Sequence, residues 1–375
     1  MLERRSLRAA ILRLIEGSGS FAEVALDVFA WQHATNLPYR RYCDRLGHSP
    51  DTVVDWREIP AVASDVFRHA ALFCGEVSEA THVFRTSGTT SGRRGEHWLR
   101  ELGVYHTSAL RQIDRWLLPD GPRPALMLAP HPSEAPDSSL SSMLGLIGEE
   151  RARGEVTFAW AQGRLDVEGA LAWLSARASA GEPVQVLGTS FAFVHVLDAL
   201  AERGERLRLP AGSVVMPTGG TKGKTREVHP AEIEDGLVEG LGVARSHVVV
   251  EYGMTELGSQ FYDPRLGELL AGSPTAPPAV EGTRLIGPPW CRVGAQDALT
   301  GRSVEPGEVG LLRFFDASNL DSVLVVQTSD RGRILHASEQ GDVFELIGRS
   351  PTAPPRGCSL TIEEVMADGN PAELP

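Results

Sequence analysis

The densest concentration of hydrogen-bonding side chains is Phe84-Arg85-Thr86-Ser87-Gly88-Thr89-Thr90-Ser91-Gly92-Arg93-Arg94. An apolar pair runs into small and hydroxylated residues and then two arginines. Glycine lets backbone N–H groups turn toward an anion, the hydroxyls of Thr86, Ser87, Thr89, Thr90 and Ser91 add donors, and Arg93 and Arg94 can neutralise phosphate charge. A solvated Ser/Gly surface loop has the same composition. A second cluster, Val248-Val249-Val250-Glu251-Tyr252-Gly253-Met254-Thr255-Glu256, reads as a strand entering a tight turn. It would put an aromatic ring, a hydroxyl and a carboxylate at a strand's carboxyl end. Tyrosine can stack on a base, and Glu256 can hold Mg²⁺ through oxygen; a core tyrosine and a surface glutamate would look alike. Thr328-Ser329-Asp330 also ends a strand, where Asp330 could accept bonds from both ribose hydroxyls or simply form an Asx-turn. Gly348-Arg349-Ser350 closes the last β-like run, and Cys358 stands in the tail, where it reads by itself as a bystander thiol.

Two near-motifs compete with these. Thr218-Gly219-Gly220-Thr221-Lys222-Gly223-Lys224-Thr225 approaches GxxxxGK[ST]. However, its first position is threonine, a helix is expected only near Pro230, and no downstream strand ends in a metal-binding aspartate. Lys222 and Lys224 then read as solvated lysines in a turn. Gly188-Thr189-Ser190-Phe191-Ala192 approaches the nucleophile elbow GxSxG, but Ala192 replaces the last glycine. Ser190 is expected to be the N-cap of a helix over 191–203.

The elements that must position these residues follow from hydrophobic periodicity. Residues 1 to about 80 read as mainly helical, with helices near 5–16 and 21–33, a broken region at 36–60 and a short element at 64–73. From 81 to 270, short apolar runs at Val83-Phe84, Ala125–Ala129, Val184–Leu187, Val214–Met216 and Val248–Val250 recur. Several are separated by helical patterns near 103–118, 168–180, 190–203 and 230–241. That alternation predicts an α/β fold of βαβ units around a largely parallel sheet, with ligands at the strands' carboxyl ends. A Pro-rich stretch at 271–280 then leads into β-like runs at Gly310–Asp316, Val323–Gln327 and Val343–Ile347, a smaller β subdomain over 271–348. Residues 349–375 read as a short tail.

Composition bounds the partners. The chain of 375 residues is 42% hydrophobic and 23% charged, an ordinary globular balance. Its 36 Lys and Arg against 49 Asp and Glu give a net charge of −13, which provides no basic footprint for nucleic acid or an anionic membrane. No run of apolar residues predicts a membrane span, and the N-terminus lacks signal-peptide features. Four dispersed cysteines without a CxxC pair predict a reducing, cytoplasmic setting.

Taken in order, TSGTTSG at 86–92, EYGMTE at 251–256, TSD at 328–330 and GR at 348–349 resemble the phosphate loop, the adenine and magnesium motif, the ribose motif and the interdomain hinge of adenylate-forming enzymes. These are the acyl/aryl-CoA ligase and firefly luciferase group. The chain is more similar to the LuxE-type acyl-protein synthetases within that superfamily. TGGTKGKTREV at 218–228, YGMTELGSQFYD at 252–263, DSSLSSML at 137–144 and RGCSL at 356–360 resemble that family's motifs. Ser91-Gly92 replaces a single glycine, Arg93 and Arg94 stand where CoA ligases carry lysine, and Ser329 replaces glycine. The chain also stops soon after Arg349, where a full ligase continues into a small domain bearing a catalytic lysine.

The resemblance implies the adenylate-forming large-domain fold, with the C-terminal domain missing or reduced to the tail. It implies ATP- and Mg²⁺-dependent conversion of a carboxylic acid, a fatty acid foremost, to acyl-AMP. Transfer to Cys358 as a thioester follows, for an acyl-accepting reductase or carrier protein. On this reading the 86–94 residues hold phosphates. Gly219, Gly220, Tyr252, Gly253, Met254, Thr255, Asp330 and Arg349 hold adenine and ribose, and Glu256 holds the metal. Lys222 or Lys224 replaces the missing lysine, and Ser138, Ser139, Thr189 and Ser190 line the acid pocket. Two other readings stay open: an adenylating enzyme of specialised metabolism that acts on an aryl or other acid without acylating a cysteine, and a non-catalytic ligand-binding protein on a ligase fold.

Overall fold

The computed structural model describes residues 2–87, 93–161, 163–219 and 228–350. Its backbone contacts divide the chain into two compact units. The first gathers the described parts of 1–108, 254–260 and 276–350; the second gathers those of 109–253 and 261–275.

The second unit is built on a sheet whose strand order is Phe261–Tyr262, Glu251–Tyr252, Val214–Thr218, Gln185–Thr189, Arg123–Leu128 and Ala152–Phe158. All neighbours are parallel except the first pair. Continuous apolar runs such as Val214-Val215-Met216 form these strands because a parallel sheet is covered on both faces. Helices Val167–Ala180, Ser190–Arg203 and Pro230–Leu241 supply one cover. Leu174, Phe193, Val196, Leu237 and Leu241 pack with Leu126, Val186 and Val215 in one buried cluster. The first and second of these helices stop at Gly181 and Gly204, each in the left-handed conformation that glycine adopts without strain. The expected parallel βαβ sheet is thus present, with one strand, Ala152–Phe158, that periodicity does not reveal.

The first unit opens with helices Arg4–Ile15, Phe21–Thr35 and Leu37–Leu46. Leu7, Ile11, Leu14 and Ile15 form the buried stripe of the first. The third lies inside the stretch expected to be broken. Asn36 caps it by accepting from the Tyr39 N–H, and Pro38 sits in its first turn, where no hydrogen bond is lost. The β part of this unit has the order Cys291–Gln296, Gly310–Asp316, Val325–His336, Val343–Arg349 and Thr283–Ile286, all antiparallel. Val83-Phe84, expected in the parallel sheet, instead lies in His82–Arg85, which pairs only with Glu96–Leu99 as an antiparallel hairpin among the described residues. Among the described residues, no helix is long and apolar enough to cross a membrane.

Candidate active site

In the first unit, the Ser/Thr loop is closed at its base by a short ladder. The Thr86 N–H donates to the Gly95 carbonyl at 3.0 Å, and the Gly95 N–H donates to Thr86 Oγ1 at 2.8 Å. Arg94 reinforces that base, since its guanidinium donates to the carbonyls of Thr86 at 2.5 Å and Arg85 at 3.0 Å. Ser87 and Arg93 are exposed. Gly88, Thr89, Thr90 and Ser91 lie outside the described residues.

Glu256 lies in the same unit and is only 7% exposed. Burial pushes its carboxyl up to about 7, against the opposing pull of its own backbone N–H and of the Arg349 and Arg68 charges. Its backbone is held on both sides: His97 Nδ1 lies 2.8 Å from the Thr255 carbonyl, and Asn319 Nδ2 donates to the Glu256 carbonyl at 2.8 Å. One turn further on, Asp316 accepts from the Gly258 N–H at 3.0 Å and the Ser259 hydroxyl at 2.8 Å.

Asp330 and Arg349 face each other across the antiparallel pair Val325–His336 and Val343–Arg349, in register. Their side chains form an ion pair at 3.3 Å in which the carboxylate is buried and the guanidinium largely exposed. The Asp330 N–H donates to Thr328 Oγ1 at 3.1 Å, and that hydroxyl donates to the Leu312 carbonyl at 2.9 Å. Asp330 therefore keeps a local turn bond as well as a cationic partner. Among the described residues Arg349 is thus ion-paired with Asp330, and its charge also opposes the upward push that burial gives Glu256.

In the second unit, strand register puts Thr189, Thr218 and Glu251 in one row across the carboxyl edge of the sheet. Thr218 Oγ1 donates to Glu251 Oε2. Burial pushes the Glu251 carboxyl up to about 7, with the Thr218 bond acting against it. A Cβ at Gly253 would stand 2.5 Å from Glu251 Oε1, so a larger residue there would push the Glu251 carboxyl aside. Tyr252 is half-buried and tilts against Phe261 at 5.9 Å between ring centroids. Thr189, not Ser190, caps the following helix, accepting from the Ala192 N–H at 3.4 Å, and Ser190 is the buried first helical residue. The cap falls one residue earlier than expected because Thr189 still has extended backbone. Ser138 caps helix Ser139–Glu150 by accepting from the Ser141 N–H at 3.1 Å. Gly219 adopts φ +68°, a left-handed conformation that glycine takes without strain. Gly220, Lys222, Lys224 and Cys358 lie outside the described residues.

The structure thus gathers Thr86, Arg94, Thr255, Glu256, Asp330 and Arg349 in one unit, and Ser138, Thr189, Thr218, Tyr252 and Gly253 in the other. Met254, in the first unit, and Gly253 mark the crossing between them. Two residues of chemical weight, Glu251 and His97, are not singled out by the sequence. Only the EYGMTE match hints at the first, and nothing local hints at the second.

Comparison with known proteins adds an independent measure. The family model for acyl-protein synthetase, LuxE, matches residues 161–367. The long-chain-fatty-acid–luciferin-component ligase of Vibrio harveyi is 21% identical over 353 residues, covering 91% of this chain and 87% of that one. The ligase of the same name from Aliivibrio fischeri is 32% identical over 83 residues, covering 21% of this chain and 22% of that one. Among solved structures, an open conformation of 2-hydroxyisobutyryl-CoA ligase in complex with 2-HIB-AMP and CoA superposes with a TM-score of 0.61 at 15% identity, covering 88% of this chain and 74% of that one. The same ligase in its thioesterification state gives 0.60 at 15% identity, covering 92% and 68%. The fold is that of the adenylate-forming ligases.

Proposed function

The chain belongs to the acyl-protein synthetase (LuxE) family, and from that premise we propose that it activates a long-chain fatty acid and takes the acyl group onto Cys358. At the coarser level it is an ATP-dependent ligase that activates a carboxylic acid by adenylation. The long chain is suggested by the Vibrio harveyi relative, whose name specifies a long-chain fatty acid.

Both reactants are anions, so their approach must be neutralised. The carboxylate oxygen attacks the α-phosphorus of ATP, and the bond to the bridging oxygen breaks. The products are acyl-AMP and pyrophosphate. Such a transfer depends on positioning and charge stabilisation more than on proton movement. The loop closed by Thr86 and Gly95 would present amides and hydroxyls to the phosphates. Tyr252 would stack on adenine, and Asp330 would accept from the ribose while Arg349 fixes its orientation. A single buried carboxyl held near neutrality fits a Mg²⁺ ligand that ionises on binding, since Mg²⁺ uses one or two carboxylates together with substrate phosphates. When bound, the metal would supply the positive charge that the phosphates require. The Cys358 thiolate then attacks the acyl carbonyl, forming the thioester and releasing AMP.

The observation that carries this reading is the ion pair of Asp330 and Arg349, which brings the 328–330 and 348–349 motifs into register across two paired strands. Carboxylate-dependent exchange of labelled pyrophosphate into ATP, run over a panel of fatty and aromatic acids, tests it. Exchange strongest with long-chain acids is expected; exchange confined to aromatic acids would reassign the substrate, and none with any acid would end the reading.

A further inference from the structure

Residues 255–259 form an irregular turn, yet buried side chains grip it throughout: His97 at Thr255, Asn319 at Glu256 and Asp316 at Gly258 and Ser259. A carbonyl can only accept, so the His97 Nδ1 that meets Thr255 at 2.8 Å carries the proton. Its Nε2 is then the bare acceptor, and it is buried without a hydrogen-bond partner. His97 is 1% exposed and stands edge-on to Phe67. Burial lowers its pKa to about 4, so the ring stays neutral at physiological pH.

The placement of this ring gives it meaning. His97 lies on the outgoing strand of the hairpin, opposite Phe84 and two positions beyond Gly95. Gly95 and Thr86 exchange the bonds that close the Ser/Thr loop. One imidazole therefore connects the base of that loop to the backbone immediately before Glu256. A leucine of similar size would fill the space but would leave the Thr255 carbonyl without this donor.

We propose that His97 is a positioning residue that holds the backbone of Glu256 against the hairpin His82–Arg85/Glu96–Leu99 through its Nδ1–H bond to the Thr255 carbonyl. The proposal rests on the reading of Glu256 as the metal–nucleotide carboxylate. Its consequence is that the paired Thr86 and Gly95 at the end of that hairpin and the Glu256 carboxylate keep one geometry during adenylation, although their motifs are far apart in the chain.

Asparagine and glutamine separate this role from simple packing. Asparagine retains a donor where Nδ1 stands and nothing at Nε2, whereas glutamine places its amide nearer Nε2. His97→Asn should retain acid-dependent pyrophosphate exchange within about threefold of the parent, while His97→Gln loses about tenfold or more in kcat with KM for the acid little changed. Backbone amide exchange over 253–260 should accelerate in His97→Gln and not in His97→Asn. In a Glu256→Gln background, His97→Gln should cost nothing further, because both changes act on one carboxylate. Equal behaviour of the two His97 variants, or unchanged amide exchange in His97→Gln, would overturn the link. A full tenfold loss persisting beside Glu256→Gln would also overturn it. If amide exchange responds as expected but Glu256→Gln leaves catalysis intact, the link stands and the assignment of Glu256 is what fails. His97→Ala is not needed, so a folding defect in that variant leaves the test intact.

Discussion

Burial pushes the carboxyls of Glu251 and Glu256 both up to about 7, against a threonine hydroxyl bond in the first case and against its own backbone N–H and the Arg349 and Arg68 charges in the second. In the unfolded chain a glutamate titrates near ~4.3. Between these values the folded state binds more protons than the unfolded state, so stability falls as pH rises through that window. Each group's contribution is full below the lower value and lost by the upper one, at most roughly 4 kcal/mol per site. Unfolding midpoints in urea should therefore fall between pH 5 and pH 8, and Glu251→Gln should flatten the dependence. A midpoint that rises over that range would contradict the buried-acid picture. If Glu256 ionises on taking Mg²⁺, affinity for Mg·ATP should strengthen from pH 6 to pH 8, and Glu256→Gln should abolish both the affinity gain and the proton release seen by calorimetry in two buffers. Asp330 offers a cleaner nucleotide probe. Asp330→Asn removes charge-assisted bonds worth roughly 1.5–3 kcal/mol, so ATP affinity should fall about tenfold or more while the fold persists. Tyr252→Ala should weaken ATP as well, through loss of a stacking face; unchanged affinity in both variants would displace the nucleotide from these motifs.

At the scale of elements, the turn at 280–282 depends on one carboxylate. Glu345 is fully buried, and its Oε1 accepts from the N–H groups of Val280, Glu281 and Gly282 at 2.7, 2.6 and 2.6 Å. Its Oε2 pairs with Arg333 at 3.0 Å. Glu345→Ala would leave three amides without their acceptor and remove one of the two carboxylates paired with Arg333, the other being Glu281, so a loss of about 3 kcal/mol is expected, with new proteolytic cleavage near 275–283. Glu345→Gln keeps an accepting oxygen and should cost less; equal losses in the two variants would mean that packing, not these bonds, matters. Such long-range acceptors are not legible in sequence. The parallel strands were legible because Val214-Val215-Met216 and its kin are buried on both faces. Ala152–Phe158 was not, because it is largely exposed and carries Arg153 and Glu155. Helix Leu37–Leu46 was hidden by Pro38, which reads as a breaker unless Asn36 is recognised as its cap. The motif at 251–256 was readable as residue types. That it passes from one compact unit to the other after Gly253, and that His97 holds its second half, depends on contacts made far along the chain.

For the molecule as a whole, the proposed thioester step requires one reactive thiol. Cys43, Cys74 and Cys291 are buried free cysteines, and burial pushes the first two up to about 12 and the third well above its ordinary value. A thiol with so little thiolate near neutrality, and no access to a bulky mixed anhydride, is a poor nucleophile. Of the four cysteines in the chain, that leaves Cys358, two positions after Arg356 in the sequence; a positive charge near a thiol favours the thiolate. Incubated with ATP, Mg²⁺ and its acid, the protein should acquire one acyl group per chain, released by neutral hydroxylamine as a thioester is. Cys358→Ala should abolish that label yet retain pyrophosphate exchange, because activation and transfer use different groups. Cys358→Ser should also transfer poorly, since a free thiol is a few per cent thiolate at pH 7 and a serine hydroxyl has almost no alkoxide. Peptide mapping decides the assignment. Label on Cys43, Cys74 or Cys291 would show that a buried site opens during turnover. Acyl-AMP accumulating with no labelled cysteine would make the protein an adenylating enzyme that hands its product directly to another acceptor.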